Sequence, residues 1–214
     1  MRAVPDRPAA DARDAAYAER LRAVSGARWK RVLDVQAPYR WHLRRLRLGR
    51  TLEVGCGIGR NLLHLRGSGV GVDPNAAAVA IARERGCAAY TPDEFLTSPH
   101  ARAGGFDSLL FAHVVEHMSF DAARALVAGH LGWLRAAGRV VLIAPQEAGW
   151  RSDPTHVEYM DFPKLERLLF DTGLEHVRSY SFPFPRPFGR LFPHNEFVVV
   201  GRKPGPAGRH PASA

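Results

Sequence analysis

From residue 51 onward, short apolar runs alternate with stretches of helical period. The runs at 51–54, 70–73, 88–91, 106–112, 139–144, 174–181 and 196–201 have the length and content of buried strands. Between them, 58–66, the alanine-rich 75–85, 121–135 and 161–172 read as helices. The last has the clearest face, with Phe162, Leu165, Leu168 and Leu169 in step and Gly173 as its stop. A short turn or helix is expected at 92–98, and Gly138 is expected to close the helix before the fifth strand. Strands separated by helices predict a parallel sheet covered on both faces. Strands six and seven follow one another without a helix, so the last strand should run antiparallel at the edge. Ahead of this core, 9–24 and 28–36 have helical composition, and Pro38 restarts a helix toward Leu46. Residues 1–8 and the Pro/Gly/Ala-rich 204–214 carry no such pattern and are expected to be disordered, leaving 9–47 as N-terminal helices and 48–203 as the main domain.

The break after the first strand carries the chemistry. Glu53-Val54 runs into Gly55-Cys56-Gly57-Ile58-Gly59, after which helical spacing resumes. Strand, glycine turn, helix presents backbone N–H groups and a helix start to a ligand, and a Cβ would obstruct either the turn or the approach. The second strand ends in Asp73, 18 residues after Gly55. That is close to the ~20 residues expected for the acid that binds a ribose diol. The fold class is therefore a Rossmann-like, doubly wound α/β sheet of seven strands. The glycine spacing is G-x-G-x-G, and Glu53 would be a poor neighbour for a pyrophosphate but a good one for a cation. S-adenosylmethionine has a sulfonium, an amino group and no phosphate. Asp73 before Pro74 is also a common helix start, and the two roles are compatible.

Charge modifies this picture only slightly. The chain carries a formal +9, and of its 30 Lys and Arg only Lys30, Lys164 and Lys203 are lysine. An arginine-, alanine- and glycine-rich composition is what a GC-rich bacterial genome produces, and no basic run interleaved with aromatics suggests a nucleic-acid surface. Nucleic acid is thus the lesser expectation for a partner, and a small-molecule acceptor the greater. No apolar run approaches the ~20 residues of a membrane span, and the first residues have no apolar core of the signal-peptide kind. The two cysteines, Cys56 and Cys87, suggest no disulfide framework. The expected location is the cytoplasm.

The stretches 53–59, Gly71-Val72-Asp73, Phe106-Asp107 through Glu116-His117, and 138–143 together resemble the class I S-adenosylmethionine-dependent methyltransferases over roughly residues 48–203. The Glu116-His117 ending looks most like the branch of the ubiquinone-type and natural-product enzymes. The resemblance implies a seven-stranded sheet, N-terminal helices that partly act as a lid, and S-adenosylmethionine as cofactor. Carried onto this sequence, it implies a cofactor site of Glu53, Gly55, Cys56, Gly57, Gly59, Asp73 and Pro74, with Asp93 or Glu94 and Phe95 at the adenine and Phe111, Ala112 and His113 at the end of strand four.

On the acceptor side, His113, Glu116 and His117 would share a face at helical spacing. Three readings stand beside one another. The group packs and lines the cofactor; or an imidazole, ~half neutral near pH 6.5, is a general base; or the group holds a metal. A related Glu-x-x-Glu-His pattern holds a divalent ion in the ubiquinone-type and small-RNA 2′-O-methyltransferases, but here His113 replaces the first acid, which suits zinc with His156 better than magnesium. The long segment 145–159 follows strand five, where loops of this length are usually functional. It supplies Trp150, His156 and Tyr159 as acceptor-binding candidates, and Asp153 either to cap a turn or to orient His156. Candidate catalytic residues are His113, His117 and His156. The segment 182–194, with four Phe and four Pro, is expected to be an apolar substrate wall or a dimer contact.

Overall fold

The computed structural model describes residues 36–205. The helix expected at 9–24, that expected at 28–36 up to residue 35, and the tail from 206 lie outside the described residues. The first element is α1 (Ala37–Arg45), started by Pro38 and burying His42 and Leu43. There follow β1 (Thr51–Val54), α2 (Arg60–His64), β2 (Gly69–Val72), α3 (Ala76–Glu84), β3 (Ala88–Tyr90) and α4 (Pro92–Thr97). The chain continues through β4 (Phe106–Ala112), a 3-10 turn at Val115–His117, α5 (Phe120–His130), β5 (Leu134–Pro145), α6 (Glu147–Arg151), α7 (Phe162–Asp171), β6 (Glu175–Phe182) and β7 (Glu196–Arg202). The sheet order is β3-β2-β1-β4-β5-β7-β6. The last strand is antiparallel, as expected, but it sits between β5 and β6 and opposes both, leaving β6 at the edge.

The described residues group into two compact units, 36–47 with 53–100, and 48–52 with 101–205. In the first, β2 and β3 pair in parallel, Val70 with Ala88 through Val72 with Tyr90. One side packs Cys56, Leu62, Val79, Ala82 and Ala89 together; Ile58, Ala78 and Ile81 form a second cluster. α3 begins at Asn75, whose side chain accepts from Ala78 N at 2.9 Å. α4 begins with a reciprocal cap in which Thr91 and Glu94 satisfy each other's backbone N–H groups.

In the second unit β4 and β5 run parallel and β7 closes the pairing with Val198, Val199 and Val200 fully in the core. α7 covers this part with Leu165, Leu168 and Leu169, all buried, and ends at Gly173 with φ 74°. The helix expected at 121–135 is shorter. It stops at His130, and β5 starts at Leu134, which pairs with Phe106 while Arg139 pairs with Ser108. The intervening residues bulge, with Ala137 at φ 55°. Gly138 is a glycine for closeness and not as a helix stop, because a Cβ there would stand 2.6 Å from Leu134 Cδ1. The expected loop after β5 also contains a short helix, α6.

Candidate active site

The first unit builds a cradle around the glycine turn. Gly55, Gly57 and Gly59 all have left-handed φ, at 75°, 50° and 78°. Gly55 N and Cys56 N both donate to Val72 O, at 2.7 and 3.2 Å, so the turn hangs on the end of β2. The glycines serve different ends. A Cβ on Gly59 would meet Cys87 Sγ at 2.9 Å, a packing constraint, whereas one on Gly57 would meet nothing within 4 Å among the described residues. Gly57 therefore leaves a bare backbone facing open space, which is what a close-approaching ligand requires.

Asp73 follows β2 and is buried at 9% exposure. Its Oδ2 accepts from Gly57 N at 2.7 Å and its Oδ1 from Asn75 N at 2.9 Å. The cap of α3 is Asn75, so Asp73 is not needed for that role. A ribose diol would donate to a carboxylate already held in place. Glu53, in the buried strand β1, accepts from Asn61 Nδ2 at 2.7 Å. These residues fit an adenosyl sulfonium, with backbone beside it, an oriented acid for the diol and a second acid for its positive charge. Cys56 lines the turn as a thiol, its pKa pushed up by burial and then by Glu53 and Asp73. Pro74 and Asp93 are exposed. Glu94 is committed elsewhere. It closes the cap of α4 and takes Arg83 Nη2 at 2.6 Å, and that bond first, then Thr91 N, lowers its carboxyl to about 2. Phe95 is buried beneath it.

The second unit assembles the acceptor-side candidates. Phe111 is fully buried, edge-on to the His130 ring at 6.1 Å, and Ala112 is buried beside it, so only their backbone remains to face a ligand. His113 ends β4 at φ 58°, and the 3-10 turn begins only at Val115, so the expected helical face of 113, 116 and 117 does not form. Instead His113 is bracketed by two acids. Its Nε2 lies 2.9 Å from Glu196 Oε1 and its Nδ1 lies 3.3 Å from Glu116 Oε1. Desolvation would lower its pKa, but the facing carboxylates of Glu116 and Glu196 outweigh this and raise it to about 10. A ring charged at neutral pH has no lone pair to offer, which argues against His113 as the base. Glu116 is fully buried and, among the described residues, neither oxygen makes a hydrogen bond, so its 3.3 Å approach to His113 Nδ1 is an ion-pair contact only.

His117 and His156 meet with ring centroids 4.9 Å apart. His156 Nδ1 lies 2.7 Å from Trp150 O, and His117 Nδ1 lies 3.3 Å from Thr155 O. A carbonyl only accepts, so in the neutral tautomer of each ring Nδ1 carries the proton and Nε2 the lone pair. Glu116, His117 and His156 each offer a ligand atom, all within 4.8 Å of one another; among the described residues this is the group that could hold a metal ion. Trp150, on α6, stacks on His156 at 6.4 Å and stands edge-on to Tyr159 at 5.7 Å. Among the described residues, the Trp150 Nε1 and Tyr159 hydroxyl are buried without hydrogen-bond partners. Burial, then the charge of Glu147, pushes the phenol up to about 12, so it remains a donor. Asp153 caps the turn, taking Thr155 N at 3.0 Å and Thr155 Oγ1 at 2.7 Å, and makes no hydrogen bond to His156. In 182–194, Phe184, Phe188 and Leu191 are exposed, while Asn195 donates to Gln146 Oε1 at 3.0 Å and Arg186 forks onto Glu147 at 2.5 and 2.8 Å, pinning the segment. Glu196 was not legible as a site residue; its only sequence signal is an acid opening the apolar run Phe197–Val200.

Comparison with known proteins agrees with this anatomy. The family model described as a methyltransferase domain matches residues 17–179. No curated protein matches the sequence. Among solved structures, a SAM-dependent methyltransferase from Archaeoglobus fulgidus superposes with TM-score 0.61 at 19% identity, covering 77% of this chain and 93% of that one. The complex of the Haloferax volcanii Trm112 methyltransferase activator with a putative methyltransferase gives TM-score 0.66 at 16% identity, over 89% and 96%. The Burkholderia thailandensis 1,6-didemethyltoxoflavin-N1-methyltransferase gives 0.54 at 21%, over 95% and 93%. At these identities the likeness is one of fold, and it is the family match that decides. The chain belongs to the methyltransferase-domain family and is a class I enzyme that uses S-adenosylmethionine.

Proposed function

We propose that the protein methylates a hydroxyl oxygen or amine nitrogen of a small-molecule acceptor, with His156 taking the acceptor's proton. The observation that carries this is the 2.7 Å bond from His156 Nδ1 to Trp150 O, which fixes the ring tautomer and leaves Nε2 as an oriented base. When bound, S-adenosylmethionine supplies an electrophilic methyl group on a sulfonium. Asp73 and the bare backbone at Gly57 hold and orient the adenosyl part; Glu53 favours its positive charge. Trp150 and Tyr159 offer buried donors and aromatic faces to the acceptor. Transfer of that methyl group would leave the acceptor atom with a proton to lose, and His156 Nε2 would take it. Positioning and exclusion of water supply most of the acceleration.

A small acceptor is favoured over RNA because the sequence has no basic run interleaved with aromatics of the kind a nucleic-acid surface uses. The Burkholderia neighbour, a small-molecule N-methyltransferase by its description, is consistent with this. The two cysteines, both free thiols, suit the reducing cytoplasm. The test is incubation with methyl-labelled S-adenosylmethionine and a cell extract split into metabolite and RNA fractions. Label in the metabolite fraction is expected; label confined to RNA would overturn the small-acceptor reading.

A further inference from the structure

We propose that segment 182–194 is an interfacial anchor, a fixed apolar ridge beside two arginines that seats on the anionic surface of a lipid bilayer. The segment is mounted rigidly. Asn195, fully buried, donates to Gln146 Oε1 at 3.0 Å and to Phe184 O at 3.2 Å, and its Oδ1 accepts from Phe184 N at 2.9 Å. Gln146, also fully buried, donates to Ser181 Oγ at 2.8 Å and to Glu196 O at 2.9 Å. Both side-chain amides are thereby fully engaged. Next along the chain, Arg186–Arg190 is a 3-10 turn, whose period of three sorts its side chains into columns. Arg186 and Gly189 make the inner one. Arg186 lies over the Phe197 ring at 4.7 Å, and a Cβ on Gly189 would strike Gln146. The other two columns face outward. Phe188 and Leu191 form an apolar one, 51% and 85% exposed, and the Phe184 ring extends it at 5.5 Å from Phe188. Pro187 and Arg190 form the second, both exposed. Arg151 reaches over from α6 to donate to Arg190 O at 3.2 Å, which brings a second guanidinium to the same end.

Charge decides what such a ridge meets. No acid occurs in 182–194. Glu147, at its base, is taken up by the fork of Arg186. Among the described residues Arg151 and Arg190 form no ion pair, so their charge is open to a partner. A second copy of the chain meeting this face symmetrically would set the same arginines against one another. An anionic bilayer matches both halves at once, with hydrocarbon for Phe184, Phe188 and Leu191 and headgroup phosphates for the guanidinium groups. A projecting ridge also suits a deformable surface, whereas a protein partner would need a groove to receive it. The buried amides supply what an anchor requires, a tip that cannot fold back onto the protein. Among the described residues no helix is long and apolar enough to cross a membrane, so the contact is peripheral. None of this depends on the methyl-transfer reading.

The test is cosedimentation of the full chain with vesicles at low ionic strength. Vesicles of phosphatidylglycerol and phosphatidylcholine in equal parts should bind it, and pure phosphatidylcholine about tenfold more weakly. Salt should weaken the first interaction. Leu191→Ser should cost about ten- to a hundredfold in affinity, the loss expected when one leucine no longer enters the hydrocarbon. Arg190→Gln and Arg151→Gln should cost about fivefold each on the anionic vesicles and nothing on the neutral ones. Phe170→Ser, which removes an apolar side chain 80% exposed on α7, should bind like wild type. Thermal melts establish that each variant is folded, and if Leu191→Ser is not, the arginine variants decide. No binding of the wild type to either vesicle overturns the proposal. So does a loss in Phe170→Ser equal to that in Leu191→Ser, or arginine variants that bind anionic vesicles like wild type. A dimer seen by sedimentation velocity that Leu191→Ser dissociates, with no vesicle binding, overturns it too and makes the ridge a self-contact.

Discussion

Asp73 Oδ2 accepts the backbone N–H of Gly57 at 2.7 Å, so the acid at the end of β2 and the open face of the glycine turn are one unit. The carboxylate is oriented before any ligand arrives. Asp73→Ala should therefore abolish measurable S-adenosylmethionine binding, since each charge-assisted bond contributes ~1.5–3 kcal/mol. Calorimetry on a variant shown to be folded checks this, and wild-type affinity would refute the ribose assignment.

The three glycines of the turn should separate in their effects. Gly57→Val places a branched side chain in open space and should remove cofactor binding while the fold survives, at a strain cost of ~1–2 kcal/mol for the left-handed backbone. Gly59→Val drives a side chain onto Cys87 Sγ and Ala82 Cβ and should destabilise the protein itself. Thermal melts alongside cofactor titrations distinguish them. Equal loss of melting temperature in both variants would contradict the division of roles.

The pair of His113 and Glu196 should leave a mark on stability against pH. His113 has a folded-state pKa near 10, raised from its ordinary value, so the stability it contributes is fully present below ~pH 6.5 and gone above about pH 10. The difference in melting temperature between wild type and His113→Gln should shrink steadily as pH rises through this window. A constant difference would mean that the ring is not charged in the folded protein.

Chelation separates a base from a metal centre at Glu116, His117 and His156. With His156 as base, dialysis against a strong chelator should leave turnover unchanged. Loss of activity restored by Zn²⁺ would assign the three residues to an ion instead.

Much of this was legible in the chain. The strands 51–54 and 106–112 were readable to the residue, because a buried run flanked by turn residues admits one register. The strand, glycine turn and second strand that frame the proposed cofactor site were readable because they are close in sequence. The early start of β5 was not, since Leu134 to Ala137 continues the helical composition of α5 and only the pairing of Leu134 with Phe106 draws it into the sheet. The face shared by His113 and His117 was misread because His113 sits in the left-handed region, which spacing does not reveal. Glu196 escaped notice for the most general reason. Its partner is 83 residues away, and no local pattern encodes a contact of that length.

The central claim is that a base oriented by the α6 backbone takes the acceptor's proton, and His156→Asn tests it most directly. Asparagine places an N–H near the position of Nδ1, so the bond to Trp150 O can persist while Nε2 is removed. Turnover of the labelled metabolite fraction should fall by ~10²–10⁴, with calorimetric affinity for S-adenosylmethionine unchanged. Wild-type turnover in this variant would contradict the account and leave an enzyme that works by positioning alone.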